Sequence, residues 1–188
     1  MAQLSDSDSD VVDYCDADQV GQYAHAPVLP QSPSPGVTLD QWLRTEQPTP
    51  WESARLVAAL AEAVESIHQG GMAPGPIAPE FIRISPAGEP RLAFPHVRKP
   101  AKPLNTPGDI LALGLVLYRL LTGKPPAKKN PRKALGHVPT DLQAICLKAI
   151  ANDPAQRYAS ATAFAQALRD FLAKHPEPTT QPRKGFWK

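Results

Sequence analysis

Gly108-Asp-Ile-Leu-Ala-Leu-Gly-Leu-Val-Leu-Tyr-Arg-Leu-Leu-Thr-Gly-Lys-Pro-Pro126 is the stretch that decides how this chain folds. From Ile110 to Tyr118 it is apolar nearly all round, so a helix here has no wide polar face to turn toward water. Such a helix belongs at the buried centre of a domain, and it is too short to span a membrane. Thr106-Pro107 is a start signal, predicting a capped helix from Gly108 to Leu121 that Thr122-Gly123-Lys124 closes.

A central helix needs partners, and the flanking sequence offers four more helices. Thr38 caps a short one, Leu39 to Arg44. Thr49-Pro50-Trp51-Glu52 combines a cap, a first-turn proline and an acid three residues after the cap. The helix it opens runs to about His68, with Leu56, Leu60, Val64 and Ile67 on one face and Gly70-Gly71 at its end. Beyond the centre, Thr140 to Ala151 reads as amphipathic, with Leu142, Ile145, Leu147 and Ile150 as its apolar set. Asn152-Asp153-Pro154 stops it. Ser160 caps the last helix, which runs to about Ala173 and buries Phe164, Leu168 and Phe171 or Leu172. Phe81-Ile-Arg-Ile and Pro90-Arg-Leu-Ala flank the turn Ser85-Pro-Ala-Gly88 and read as a small β-hairpin.

Composition bounds the rest. The 188 residues suit one domain with tails, and 23 prolines are too many for an unbroken bundle. Residues 1 to 36 read as a disordered acidic and Pro-rich tail, with Val28-Leu29 as a short extended piece leading into the domain. Net charge is only +2, yet the first twenty residues hold six Asp and no Lys or Arg. The remainder is therefore basic, most visibly at Lys124, Lys128, Lys129, Arg132 and Lys133 between the helices. From Lys174 the chain is a basic, Pro-rich tail ending Arg183-Lys-Gly-Phe-Trp-Lys188. Cys15 and Cys146 are too few and too far apart for a disulfide framework, and Cys146 reads as a buried, inert thiol in a reducing cytoplasm. The N-terminus lacks the basic and apolar regions of a signal peptide. His25, His68, His96, His137 and His175 show no metal-ligand spacing.

Between the second helix and the centre lies Met72-Ala-Pro-Gly-Pro-Ile-Ala-Pro-Glu-Phe-Ile-Arg-Ile-Ser-Pro-Ala-Gly-Glu-Pro-Arg-Leu-Ala-Phe-Pro-His96. With Ser66-Ile-His-Gln-Gly-Gly71, Gly108 to Pro126, and Leu147-Lys-Ala-Ile-Ala-Asn-Asp-Pro-Ala-Gln-Arg-Tyr158, it resembles the helical lobe of bacterial Ser/Thr protein kinases over about residues 37 to 173. The resemblance implies a mainly α fold, a kinase C-lobe-like helical domain with one small β-hairpin and no N-lobe. It also implies that the catalytic-loop and metal-loop positions are Pro76, Ala78, Phe81 and Phe94. Active kinases place there a base Asp, a Lys, a magnesium-binding Asn and a second magnesium-binding Asp. None of the four residues present can move a proton or bind Mg²⁺. No Gly-rich phosphate loop or Val-Ala-Ile-Lys strand occurs, and no Ala-Pro-Glu motif lies between Phe94 and Asp109.

The expectation is a degenerate, truncated pseudokinase: not an enzyme, without cofactor or metal, binding another protein as a scaffold or regulator in bacterial signalling. That partner could be a kinase, a receptor, or a secretion or regulatory component. Neither ATP nor nucleic acid is expected to bind. Candidate contact residues are Phe81, Phe94, Lys128, Lys129, Arg132 and Lys133, in a cytoplasmic protein whose C-terminal tail offers membrane contact. Asp109 and Arg157 match structural residues of the family. Asp109 is open to two readings, as organiser of the 73–77 loop through backbone N–H bonds or as a helix N-terminal acid favoured by the macrodipole. Arg157, whose family partner is missing, would find Glu80 or a backbone carbonyl, or lie exposed. One alternative is a basic adaptor docking on nucleic acid or anionic membrane through residues 124–133 and the C-terminal tail. Residual kinase activity is a minor alternative.

Overall fold

A computed structural model describes residues 36–93, 105–127 and 130–178. The expected N-terminal tail with Val28-Leu29, Phe94 and His96, Lys128 and Lys129, and residues 179–188 of the expected C-terminal tail lie outside the described residues.

The chain enters through β1 (Val37–Thr38) and turns at once into α1 (Leu39–Thr45). Thr38 and Gln41 form a reciprocal capping box at that turn. A second box, Thr49 with Glu52, opens α2 (Pro50–Gln69), with Pro50 at the first helical position. β2 (Ile82–Ile84) and β3 (Pro90–Leu92) pair antiparallel in the expected hairpin, with Ile82 opposite Leu92. Its turn closes through the Gly88 N–H to the Ser85 carbonyl at 2.8 Å, Gly88 taking φ +82°.

The sheet has one strand more than the hairpin. β1 pairs β2 with Val37 opposite Ile84. Two residues are too short for alternation to show. What admits them is Gly36, where a Cβ would lie 2.3 Å from the Ile84 carbonyl oxygen.

α3 (Thr106–Thr122) is the centre. Ile110, Leu113, Val116, Leu117 and Tyr118 are almost wholly buried against α2, α4 (Thr140–Ala149) and α5 (Ala161–Lys174). Its cap is Asn105, not Thr106: the Asn105 Oδ1 accepts the Gly108 N–H at 3.2 Å. Thr106 is already the first helical residue, so Pro107 falls at the second position. Gly123 ends the helix in the left-handed region at φ +71°, its N–H returning to the Arg119 carbonyl. α3 is also less uniformly buried than its composition implies, because Leu111 and Leu115 turn away from the core.

α4 corrects another expectation. Leu142, Cys146 and Ala149 form its buried stripe, while Ile145, Leu147 and Ile150 are half-buried. Close approach explains the shift, because small residues meet where α3 crosses α4. A Cβ on Gly114 would stand 2.8 Å from the Ala149 Cβ and 2.9 Å from the Ile150 Cγ2. Gly114→Ala would gain about 1 kcal/mol of helix propensity. Overpacking at that contact costs about 1–3 kcal/mol. The clash should win, and urea denaturation should show a net loss of about 1 kcal/mol; a stabilised variant would contradict this packing.

The basic connection after α3 is partly folded. Pro131–Leu135 makes a short 3₁₀ turn, burying Leu135, and Val138 is buried just after it. The Tyr118 hydroxyl donates to the Pro131 carbonyl at 3.0 Å, and a His137 ring nitrogen lies 3.0 Å from the Leu121 carbonyl. At the far end of α5, residues 175–178 lie against the start of α2. There the Trp51 indole N–H donates to the His175 carbonyl at 2.7 Å, and Arg55 pairs with Glu177 at 2.8 Å.

Candidate functional site

The loop from α2 to β2 is fixed from both ends. Gly71 takes φ +68°, and the Met72 N–H returns to the Ile67 carbonyl at 3.1 Å, ending α2 with a tight reversal. Pro74 and Ile77 are buried and pin the middle of the loop. Pro79–Phe81 forms a single 3₁₀ turn, and the Ala93 N–H donates to the Phe81 carbonyl at 2.7 Å. Pro76 is exposed, whereas Ala78 and Phe81 are half-buried. Glu80, exposed, is the loop's one carboxylate between residues 70 and 81. A magnesium-nucleotide site needs converging oxygen ligands and a phosphate clamp. Pro76, Ala78 and Phe81 supply neither, so the described loop does not fit that group. Phe94 lies outside the described residues.

Asp109 lies in the first turn of α3, as its helix-end reading has it, and its carboxylate meets a side chain rather than the 73–77 backbone. Its Oδ2 lies 2.7 Å from the His68 Nε2, joining the last turn of α2 to the first turn of α3. His68 is the partner that sequence reasoning missed. A last-turn His is an ordinary helix-end residue, and nothing in its spacing names an acid 41 positions away. Burial holds the Asp109 carboxyl above the usual carboxylate range, and the His68 contact pulls it only partly back. An acid whose folded pKa is raised binds more protons folded than unfolded. Stability therefore falls as pH rises from the ordinary value of 3.8 through the raised one. Asp109→Asn should remove that slope, measured as urea midpoints at successive pH values from about 4 upward; an unchanged slope would contradict it.

Arg157 follows the backbone-carbonyl reading. Its Nε donates to Ala151 at 2.8 Å, Nη1 to Pro107 at 2.8 Å and Nη2 to Asn152 at 3.3 Å. One guanidinium thus ties the end of α4 and the loop after it to the start of α3. Glu80 is not its partner. Nearby, Tyr158 stacks on Phe164 with ring centroids 5.1 Å apart, and Lys148 Nζ sits 4.5 Å over the Tyr158 ring. Burial pushes the Tyr158 hydroxyl up to about 12, and likewise the Cys146 thiol to about 12, which suits the unreactive role expected of Cys146.

Of the basic candidates, Arg132 and Lys133 are exposed on the 3₁₀ turn, on a different element from Phe81. Phe94, Lys128 and Lys129, the other candidate contact residues, lie outside the described residues. A further polar contact links α1 to α3, where Arg119 pairs with Asp40 while its Nε is buried without a partner. Among the described residues, no cluster of His, Cys, Asp or Glu has the makings of a metal site, and no helix is long and apolar enough to cross a membrane.

The helical layout and the loop in front of its central helix define the class to which known proteins can be compared. In sequence the chain is similar to the tyrosine-protein kinase MasK of Myxococcus xanthus, 38% identical over 90 residues, covering 39% of this chain and 14% of that protein. It is 33% identical over 100 residues to the serine/threonine-protein kinase PknD of Chlamydia trachomatis, covering 43% of this chain and 11% of that one. The match to the serine/threonine-protein kinase PknB of Mycobacterium tuberculosis is 25% identical and covers 79% of this chain and 30% of the relative. The chain thus spans well under half the length of each. In fold it matches the PknI kinase domain of Mycobacterium tuberculosis with a TM-score of 0.58 at 22% identity, over 73% of this chain and 63% of that domain. No protein-family model matches the chain.

Its homologues are therefore bacterial protein kinases, and its fold is protein kinase-like, mainly helical with a small sheet. One expectation is corrected. Reading the loop's side chains alone led to a protein that is not an enzyme, whereas the relatives and the structural neighbour are protein kinases and point to an enzyme.

Proposed function

We propose that this kinase-like domain works in bacterial signalling by binding another protein, as a scaffold or regulator, in the cytoplasm. One observation carries the reading: the supports behind the loop are built in full, while the loop itself carries Pro76, Ala78 and Phe81. The His68–Asp109 contact, the Arg157 tie and the buried α3 hold a surface in place. Rigid support with apolar side chains at the front suits protein recognition better than charge handling. Phe81, half-buried on the 3₁₀ turn, is the aromatic side chain this reading assigns to the contact.

The test is retention of a host protein by the full chain, purified from its native host and compared with Phe81→Asp. The reading expects a protein retained in stoichiometric amount by the wild type and lost with the variant, while circular dichroism shows both folded. Retention of no host protein at all would overturn it. Phosphate transfer from γ-labelled ATP belongs in the same experiment, because the relatives are kinases.

A further inference from the structure

Residues 175–178, His-Pro-Glu-Pro, leave α5 and cross to the start of α2. His175 is the pivot. Its N–H donates to the Phe171 carbonyl at 3.0 Å, and its own carbonyl accepts the Trp51 indole N–H at 2.7 Å. Its ring centroid lies 5.0 Å from that of Phe171, and its Nε2 lies 2.8 Å from the Oδ2 of Asp141 in the first turn of α4. Two residues on, the Glu177 carboxylate accepts the Thr49 hydroxyl at 3.2 Å and pairs with Arg55 at 2.8 Å. A negative charge thereby sits at the N-terminus of α2, the helix end that favours it. One short segment thus bridges α2, α4 and α5.

Its hold is shallow. Pro176, Glu177 and Pro178 are exposed, and no side chain of the segment belongs to the core. Neither proline has an N–H to donate. The Arg55–Glu177 pair keeps 50% and 32% of its side-chain surface in water, where ion pairs are weak and screened by salt. The His175–Asp141 contact is exposed as well. α5 is held differently: Phe164, Leu168 and Phe171 are almost wholly buried, and the helix packs on α2. A segment with so few buried contacts opens at a much lower free energy than the core behind it.

We propose that residues 175–178 are a latch that opens as a unit about the end of α5 while α2–α5 stay packed, and that the Glu177 carboxylate at Thr49 and Arg55 holds it shut. Closed, the chain leaves the domain beside the start of α2, and the Trp51 indole N–H is satisfied by His175. Open, it leaves from the end of α5, and that N–H meets water. The latch stands independently of the protein-binding reading above.

The test follows hydrogen exchange of the full chain by NMR. The Trp51 indole N–H reports the latch, assigned against Trp42 and Trp187 through Trp51→Phe. The backbone amides of Leu113 and Leu117, in the buried centre of α3, report the core. In the wild type the indole should be protected, with a protection factor about tenfold or more below that of those amides. Glu177→Lys should cut the indole protection about fivefold further and leave the α3 amides unchanged. Adding Arg55→Glu to that variant should restore part of the protection, because the pair returns while the helix end still disfavours the cation.

Indole protection equal to that of the α3 amides would mean that the segment opens only with the domain. No indole protection at all would mean that it is not docked. Either result would overturn the latch. So would indole protection that Glu177→Lys leaves intact, a loss that the α3 amides share, or no recovery on adding Arg55→Glu.

Discussion

Phe164→Ala should lower the stability of the domain by about 3–5 kcal/mol, the cost of emptying a fully packed aromatic site. Phe164 is wholly buried, and its ring supports Tyr158 at 5.1 Å. Tyr158 adjoins Arg157, so the cavity would open beneath the residue that ties α4 to α3. Small domains have total stabilities of about 5–15 kcal/mol, so a large part of the native population is at stake. Urea denaturation of the full chain reads the effect directly. A loss below about 1 kcal/mol would mean that α5 is not packed as described.

Arg157→Ala is the second large effect, expected at about 2–3 kcal/mol. Hydrogen bonds from a charged donor contribute about 1.5–3 kcal/mol each when well shielded, and less in water. Of the three, the bond to Ala151 is part-buried, while those to Pro107 and Asn152 are exposed and can rehydrate. The total should therefore stay well below three times the single-bond figure. Arg157→Lys should recover part of the loss, because one ammonium cannot reach three carbonyls in a planar fork. Equal losses for Ala and Lys would make the charge irrelevant; no loss for either would remove Arg157 from the structural account.

Most of the helical layout was legible because it rests on local rules. The Thr38, Thr49 and Ser160 caps, the apolar face of α2 and the Ser85–Gly88 turn each depend on residues within one or two turns of one another. Expectations went astray where packing between elements decides. Cys146 and Ala149 displaced Ile145 and Ile150 from the buried stripe of α4 because Gly114 draws the two helices together. β1 is too short to show a period, and its place depends on the close approach at Gly36. Asp109 stands at the helix end where one of its two readings puts it, but its bond to His68 spans two elements and shows in neither.

Function divided in the same way. Residue identity showed what Pro76, Ala78 and Phe81 lack, and that alone led too far, to a protein outside the enzymes. The kinase relatives and the kinase-like fold correct it. Leu111 and Leu115 were hidden inside an apolar run that reads as core throughout, and only the packing of α3 distinguishes them from Leu113 and Leu117.

The most direct test of the central claim is a calorimetric titration of the full chain with the host protein it retains. The account predicts saturable binding with a Kd of about 1 μM or tighter, equal with and without Mg-ATP, and lost in Phe81→Asp. Binding that appears only with Mg-ATP, or that Phe81→Asp leaves intact, would contradict it.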